Sequence, residues 1–335
     1  MQIGRFFGLN VHTSALLFKV FPIAENTTDP SPIRTPRTRR SFRCLLRGGG
    51  CFVRDLFLHM LSEIWRRFKK NKQALVGLIV LILFVLIAIF ADQIAPYGYD
   101  DQDASRAMIA PCAEHIFGTD NLGRDQLSRL IYGSRYSLAI GFLAVGISVI
   151  TGGILGVLAA YYPKLDNIIM RCMDLFMAIP QMLLAMCIVT ALGSSLFNLM
   201  LAVGLSSTPK FARVVRAAVM STREQEFVEA ARAIGANNWR IIVHHILPNS
   251  ISSLIVQATL AMAGAIISAS ALSFLGFGIQ APLPEWGAML STGRRYIRTE
   301  PYLTVIPGLA IMVVVYALNV VGDGLRDCLD PRLKK

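Results

Sequence analysis

Charged side chains are what this sequence has least of. Asp, Glu, Lys and Arg make up 16% of its 335 residues, where a soluble globular chain carries about 25%. Other absences remove whole classes of chemistry. There is no GxxxxGK[ST] loop to cradle nucleotide phosphates, no HExxH zinc helix and no GxSxG nucleophile elbow. The six cysteines, Cys44, Cys51, Cys112, Cys172, Cys187 and Cys328, are scattered without a CxxC pair, which leaves neither a disulfide framework nor a zinc site. One adjacent histidine pair, His244-His245, lacks ligand spacing. We therefore assign this chain no catalytic residue, no metal ligand and no cofactor of its own.

Long apolar runs are what is there. Hydrophobic residues make up 54% of the chain, and they fall in blocks instead of amphipathic stripes. The blocks span 74–95, 136–161, 173–192, 196–207, 250–274 and 302–321. About 20 apolar residues at 1.5 Å each cross a bilayer core. The expected fold class is an all-α integral membrane protein with six transmembrane helices. Pro180 interrupts the third block, and the fourth is short and ends at Pro209, where the helix is expected to continue past a kink. Ionisable residues are missing from the centres of these blocks, which disfavours a proton- or sodium-coupled carrier.

The formal net charge of +12 would suggest nucleic acid in a soluble protein. Here the basic residues lie between apolar blocks, so topology explains them; the expected partner is the lipid bilayer, not nucleic acid. Arg66, Arg67, Lys69, Lys70 and Lys72 precede the first block. Placing them inside also puts Lys164, Arg171, Lys210, Arg213, Arg216, Arg223, Arg232, Arg240, Arg326, Arg332, Lys334 and Lys335 there. Arg106, Arg124, Arg129, Arg135, Arg294, Arg295 and Arg298 then lie outside, the last three against the rule. Both termini are expected to be cytoplasmic.

Two stripes of small residues predict close helix packing: Ser148, Gly152, Gly156 and Ala160 in the second block, and Ala261, Ala265 and Ala269 in the fifth. Spacing does not say whether they meet this chain or a partner. Residues 1–59 read as a basic, disordered extension, rich in Pro and Arg between Pro30 and Arg40, and the biological start is expected at or near Met60. Residues 60–95 then form an interfacial helix and the first span, and 96–135 an extracytoplasmic loop. Residues 136–322 form the membrane core with five spans, and 323–335 a cytoplasmic tail.

The segment 221–248, between the fourth and fifth blocks, carries the functional signal. Ser221 to Glu224 and Thr222 to Gln225 have capping-box spacing, which predicts a helix start. Gly235 stands where a C-terminal cap ends it, and a second short segment, 237–247, leads to Pro248 at the mouth of the fifth span. This helix-turn-helix is long for a bundle connection. Periodicity alone does not separate a working element from an ordinary solvated hairpin.

Glu229-Ala230-Ala231, Gly235 and Ile246-Leu247-Pro248 resemble the EAA loop of binding-protein-dependent ABC importer permeases, with His245 beside Ile246 a mild departure. Three further segments are similar to the dipeptide/oligopeptide subfamily, in particular its C-type subunit. The first runs from Phe117 through Asp120, Arg124 and Asp125 to Gly133. The second joins Phe274-Leu275-Gly276-Phe277-Gly278 to Pro284-Glu285-Trp286-Gly287. The third joins Pro307-Gly308 to Gly322-Asp323-Gly324-Leu325-Arg326-Asp327 and Leu329-Asp330-Pro331. The resemblance covers residues 60 to the C-terminus. It implies the type I (MetI-like) importer permease fold in a bacterial cytoplasmic membrane. It also implies a homologous permease subunit, two ABC ATPase subunits that hydrolyse the ATP, and an extracytoplasmic substrate-binding protein.

On this resemblance Glu229, Ala230, Ala231, Gly235, Leu247 and Pro248 form the element that docks on the ATPase, with the two alanines a flat packing face. Asp120, Arg124 and Asp125 either touch the binding protein or a gate, or form a self-satisfied salt-bridged turn. Trp286 is expected at headgroup level. Di- or oligopeptides are the implied cargo, with nickel, opines or glutathione as alternatives. A secondary transporter, a channel and an intramembrane enzyme are the rival classes.

Overall fold

The structure, a computed structural model, describes residues 65–279 and 282–329. The expectations for residues 1–59 and for the chain beyond 329 lie outside these. All regular elements among the described residues are helical.

Helix α1 (Lys72–Ile89) starts at Asn71, whose side chain accepts a hydrogen bond from the Ala74 amide at 3.2 Å. A short α2 (Ala91–Ile94) follows. Residues 95–125 form a loop, and α3 (Gln126–Tyr161) then runs unbroken for 36 residues, ten more than the apolar block predicts. The extra residues are its first turns, which carry Arg129 and Arg135 outside the apolar block.

The third expected span is corrected. It is two helices, α4 (Pro163–Met177) and α5 (Gln181–Leu192), bent by 90° at Pro180. Proline has no amide to donate and disfavours helix in the residue before it, so the break falls at Ile179-Pro180. The fourth, α6 (Leu196–Arg223), continues through Pro209, as expected, and runs well past the end of its apolar block. Three hydroxyls satisfy carbonyls in the turn before it. Ser206 and Ser207 Oγ donate to Val203 O, and Thr208 Oγ1 to Gly204 O, a common accommodation of proline inside a membrane helix.

Helix α7 (Glu226–Ala233) follows α6 directly, and α8 (Asn238–Ile241) begins the next rod. A π-turn over Ile242–Ile246 joins α8 to α9 (Leu247–Phe274), so helical structure is continuous from 238 to 274. This replaces the separate segment expected before Pro248. The wide turn lies just upstream of the proline ring, whose bulk and missing donor a regular α-turn does not accommodate. Helix α10 (Trp286–Gly293) and α11 (Tyr302–Leu329) complete the chain.

By length and apolarity α1, α3, α8–α9 and α11 each qualify to cross a bilayer, and the bent α4–α5 pair qualifies together. Helix α6 is of membrane length, apolar over its first half and cationic over its second. These six segments make an all-α membrane protein. Exposed Val76, Ile79, Phe142, Ile150, Ile154 and Tyr316 give it the greasy outer surface such a protein needs.

Both small-residue stripes pack within this chain. Ser148 Oγ donates to Gly204 O at 2.7 Å, and a Cβ on Gly152 would stand 2.9 Å from Thr208 O. Helices α3 and α6 are thereby held at backbone contact. Ala265 and Ala269 of α9 close the same core with Ile140, Ala144, Leu199 and Val203.

Candidate functional site

At one end of the bundle the chain folds into the hairpin 226–246. Phe227, Val228 and Ala231 of α7 turn inward, and Val228 and Ala231 join a core with Val215, Val219, Ile241 and Ile246. Glu226, Glu229, Arg232 and Ala233 stay outside. The helix ends in a Schellman turn: Gly235 N–H donates to Arg232 O and Ala236 N–H to Ala231 O, with Gly235 at φ +80°. An L-residue there is strained, so glycine sets the turn.

Two expectations about this hairpin are corrected. The capping boxes do not form: Ser221 and Thr222 belong to the last turn of α6, and Thr222 Oγ1 donates back to Ala218 O. The apolar side of α6 continues to Val219 in the buried core, so packing carries the helix past the capping signal. The alanines do not form an outward packing face either. Ala231 is buried in this chain's own core and Ala230 is half-buried. The projecting surface is the turn beyond them, where Ile234 is 85% and Trp239 71% exposed. Gly235 lies between them and is exposed, as are Pro248 and, opposite Arg223 and Arg232 in a cleft of about 270 Å³, Glu229; Leu247 is half-buried.

The hairpin is fixed to the bundle by polar bonds as well as by packing. Tyr161 Oη donates to Asn238 Oδ1 at 2.6 Å, tying the end of α3 to the start of α8. Arg223 Nη1 donates to Ala160 O at 2.8 Å, and the guanidinium groups of Arg223 and Arg232 both lie over the Tyr161 ring.

At the opposite end, the loop before α3 is a buried polar knot. Asp120 Oδ1 accepts from the Leu122 and Arg124 amides, while Arg124 Nε donates to Asp120 Oδ2 at 2.8 Å. Asp125 caps α3, accepting from Ser128 N at 2.7 Å, and its other oxygen faces His115 Nδ1 at 2.9 Å. Asp120, Arg124 and Asp125 are each 5% exposed or less. Their side chains are turned into the fold and bond mainly within the loop, as a salt-bridged turn would.

Glu285 and Trp286 are buried as deeply. Trp286 is fully buried, its Nε1 donating to Leu130 O at 3.1 Å. Glu285 caps α10, accepting from the Gly287 and Ala288 amides at 2.9 Å each. Burial pushes its carboxyl above the ordinary range, against the opposing pull of those amide bonds.

A third feature lies between the ends. A cavity of about 400 Å³ opens among α3, α5, α6 and α9, lined by Ser148, Gln181, Ser207, Lys210, Phe211 and Gln257 together with the Gly264 side of the small stripe. Lys210 in its wall stands half-way along α6. Arg213 and Arg216 also belong to α6, where they pair with Asp174 and Asp166 of α4. Ile234 and Trp239 escaped the sequence reading because hydropathy reports no direction for a side chain. The pairing of a turn glycine with flanking exposed apolar residues was the available signal.

A helical membrane bundle with an apolar-tipped hairpin at one end and a polar-lined cavity at its centre defines a membrane permease. The chain belongs to the family of binding-protein-dependent transport system inner membrane components, whose profile matches residues 152–335; the N-terminal membrane domain of oligopeptide transport permease C matches residues 60–111. It is 50% identical over 273 residues to the dipeptide transport system permease protein DppC of Alkalihalophilus pseudofirmus, covering 81% of this chain and 90% of that one. It is 46% identical over 281 residues to the di/tripeptide transport system permease protein DppC of Pseudomonas aeruginosa, covering 82% and 93%. The glutathione transport system permease protein GsiD of Escherichia coli is 45% identical over 274 residues, covering 81% and 90%. An inward-facing structure of the MetNI methionine ABC transporter shares the fold, with a TM-score of 0.50 at 21% identity, covering 60% of this chain and 96% of that one.

Proposed function

We propose that this chain is the transmembrane subunit of an ATP-driven importer of di- or oligopeptides, and that it takes its power through the hairpin 226–246. Membership of the family implies ATPase and substrate-binding partners. The finer assembly we infer is one homologous permease, two ATPase subunits and an extracytoplasmic binding protein. The observation that carries the coupling role is the mounting of the hairpin. Ile234 and Trp239 project at a glycine turn whose inner side is locked into the bundle core, so a force applied there moves helices, not a loose loop. Ala231 packs that mount and Gly235 turns it, Glu229 and Ala230 lie on its outer side, and Leu247 and Pro248 join it to α9.

In this reading the hairpin end and both termini face the cytoplasm of a bacterial inner membrane, and ATP is bound and hydrolysed only by the partners. Closure of the ATPase dimer draws the two permeases' hairpins together and rocks the bundles between inward- and outward-facing states. Peptide cargo rests on the relatives named for dipeptide transport; the GsiD relatives support glutathione as the second reading.

Ile234→Asp and Trp239→Ala test the coupling, since both side chains are exposed and neither holds the fold. Each is expected to leave membrane insertion intact while ATPase subunits no longer co-purify and peptide uptake falls at least tenfold, as for interface anchors generally. Full uptake by both variants sinks the assignment.

A further inference from the structure

The central cavity supports a deeper reading of the same function, and it rests on the importer assignment above. Lys210 is the fifteenth residue of α6, about 21 Å along the helix from Leu196, a distance shorter than the roughly 30 Å of a hydrocarbon core. The cations that follow it on α6 are matched, Arg213 by Asp174 and Arg216 by Asp166. Lys210 has no ion pair or hydrogen bond among the described residues, and no carboxylate lines the cavity it faces. A cation held at that depth is costly unless it faces a water-filled path, and such residues mark where charged solutes pass.

The rest of the lining fits a small polar solute. Gln181, the first residue after the Pro180 break, donates through Nε2 to Ser207 Oγ at 2.8 Å, one helical turn before Lys210. Gln257 of α9 adds a second amide, while Phe211, Leu260 and Ala261 supply apolar wall. A volume of about 400 Å³ lies in the range that holds small organic ligands. We propose that Lys210 is a carboxylate subsite on the translocation path, contacting the anionic terminus of a passing peptide, with Gln181 and Ser207 as neighbouring hydrogen-bonding groups.

The test uses the assembled transporter in proteoliposomes with its binding protein and ATP. It compares a dipeptide with the C-terminal amide of the same dipeptide, each at saturating binding protein. Lys210→Met is expected to lower the ratio of acid to amide uptake about tenfold, the scale of one hydrogen-bonded charge, while Lys210→Arg keeps the ratio. The same binding protein serves every variant, so its own preference cancels. Should Lys210→Met not assemble, Lys210→Gln carries the same comparison. An unchanged ratio overturns the subsite even if both rates fall. Wild-type vesicles that take up neither peptide with ATP overturn the importer reading itself, and the subsite with it.

Discussion

Gly156 faces the Ala212 carbonyl across α3 and α6 with no room for a side chain, whereas Gly153, three residues earlier, has open space beside it. Gly156→Leu is expected to destabilise the bundle by about 1–3 kcal/mol through overpacking, and Gly153→Leu to be near neutral. Thermal unfolding in detergent compares them directly. Glu285 sets a pH dependence at the same scale. Burial raises its titration in the folded protein, so its contribution is fully present in acid, below the ordinary carboxylate range. That contribution is lost as pH rises through the raised folded value. Glu285→Gln is therefore expected to gain stability relative to wild type from acid towards neutral pH; a constant difference between the two would remove Glu285 as the cause.

Among elements, the hinge between α4 and α5 shows how far the sequence could be read. The continuous runs behind α1, α3, α9 and α11 were legible as spans, because twenty apolar residues with no charge have few other uses. The run 173–192 has the same composition, yet it turns by 90° at Pro180: hydropathy counts residues and is blind to chain direction. The hairpin was found through Glu229, Ala231 and Gly235, but its outer face was misassigned, since the burial of Ala231 depends on tertiary packing against Val215 and Ile241 that residue spacing does not report. The acid partners of α6 were hidden for the same reason. Asp166 accepts from Arg216 Nε and Nη2 at 2.6 Å each, fastening α4 to α6. Both side chains keep some solvent contact, 23% and 29%, so the coupling is expected to be about 0.5–1 kcal/mol. A double-mutant cycle on Asp166→Asn and Arg216→Gln reads it, and strictly additive effects would mean the two do not cooperate.

For the whole molecule, its tryptophans report on assembly. Trp286 is fully buried, Trp65 is 47% exposed and Trp239 71% exposed. Binding of ATPase subunits at the hairpin is expected to shield Trp239, so acrylamide quenching of wild type falls on their addition. In Trp239→Phe the quenching is expected to change little, since Trp286 is buried and Trp65 precedes α1, outside the hairpin. Loss of quenching in both proteins would place the contact away from the hairpin.

Helix α3 joins the two ends of the bundle. Its first turn is clamped by Asp125 into the knot around Asp120, and its last residue, Tyr161, grips Asn238 of the hairpin. Thirty-six residues make it a rod about 54 Å long, anchored to a tight fitting at each tip. A displacement of the hairpin is therefore expected to be felt at the far loop, since one unbroken helix ties the two together.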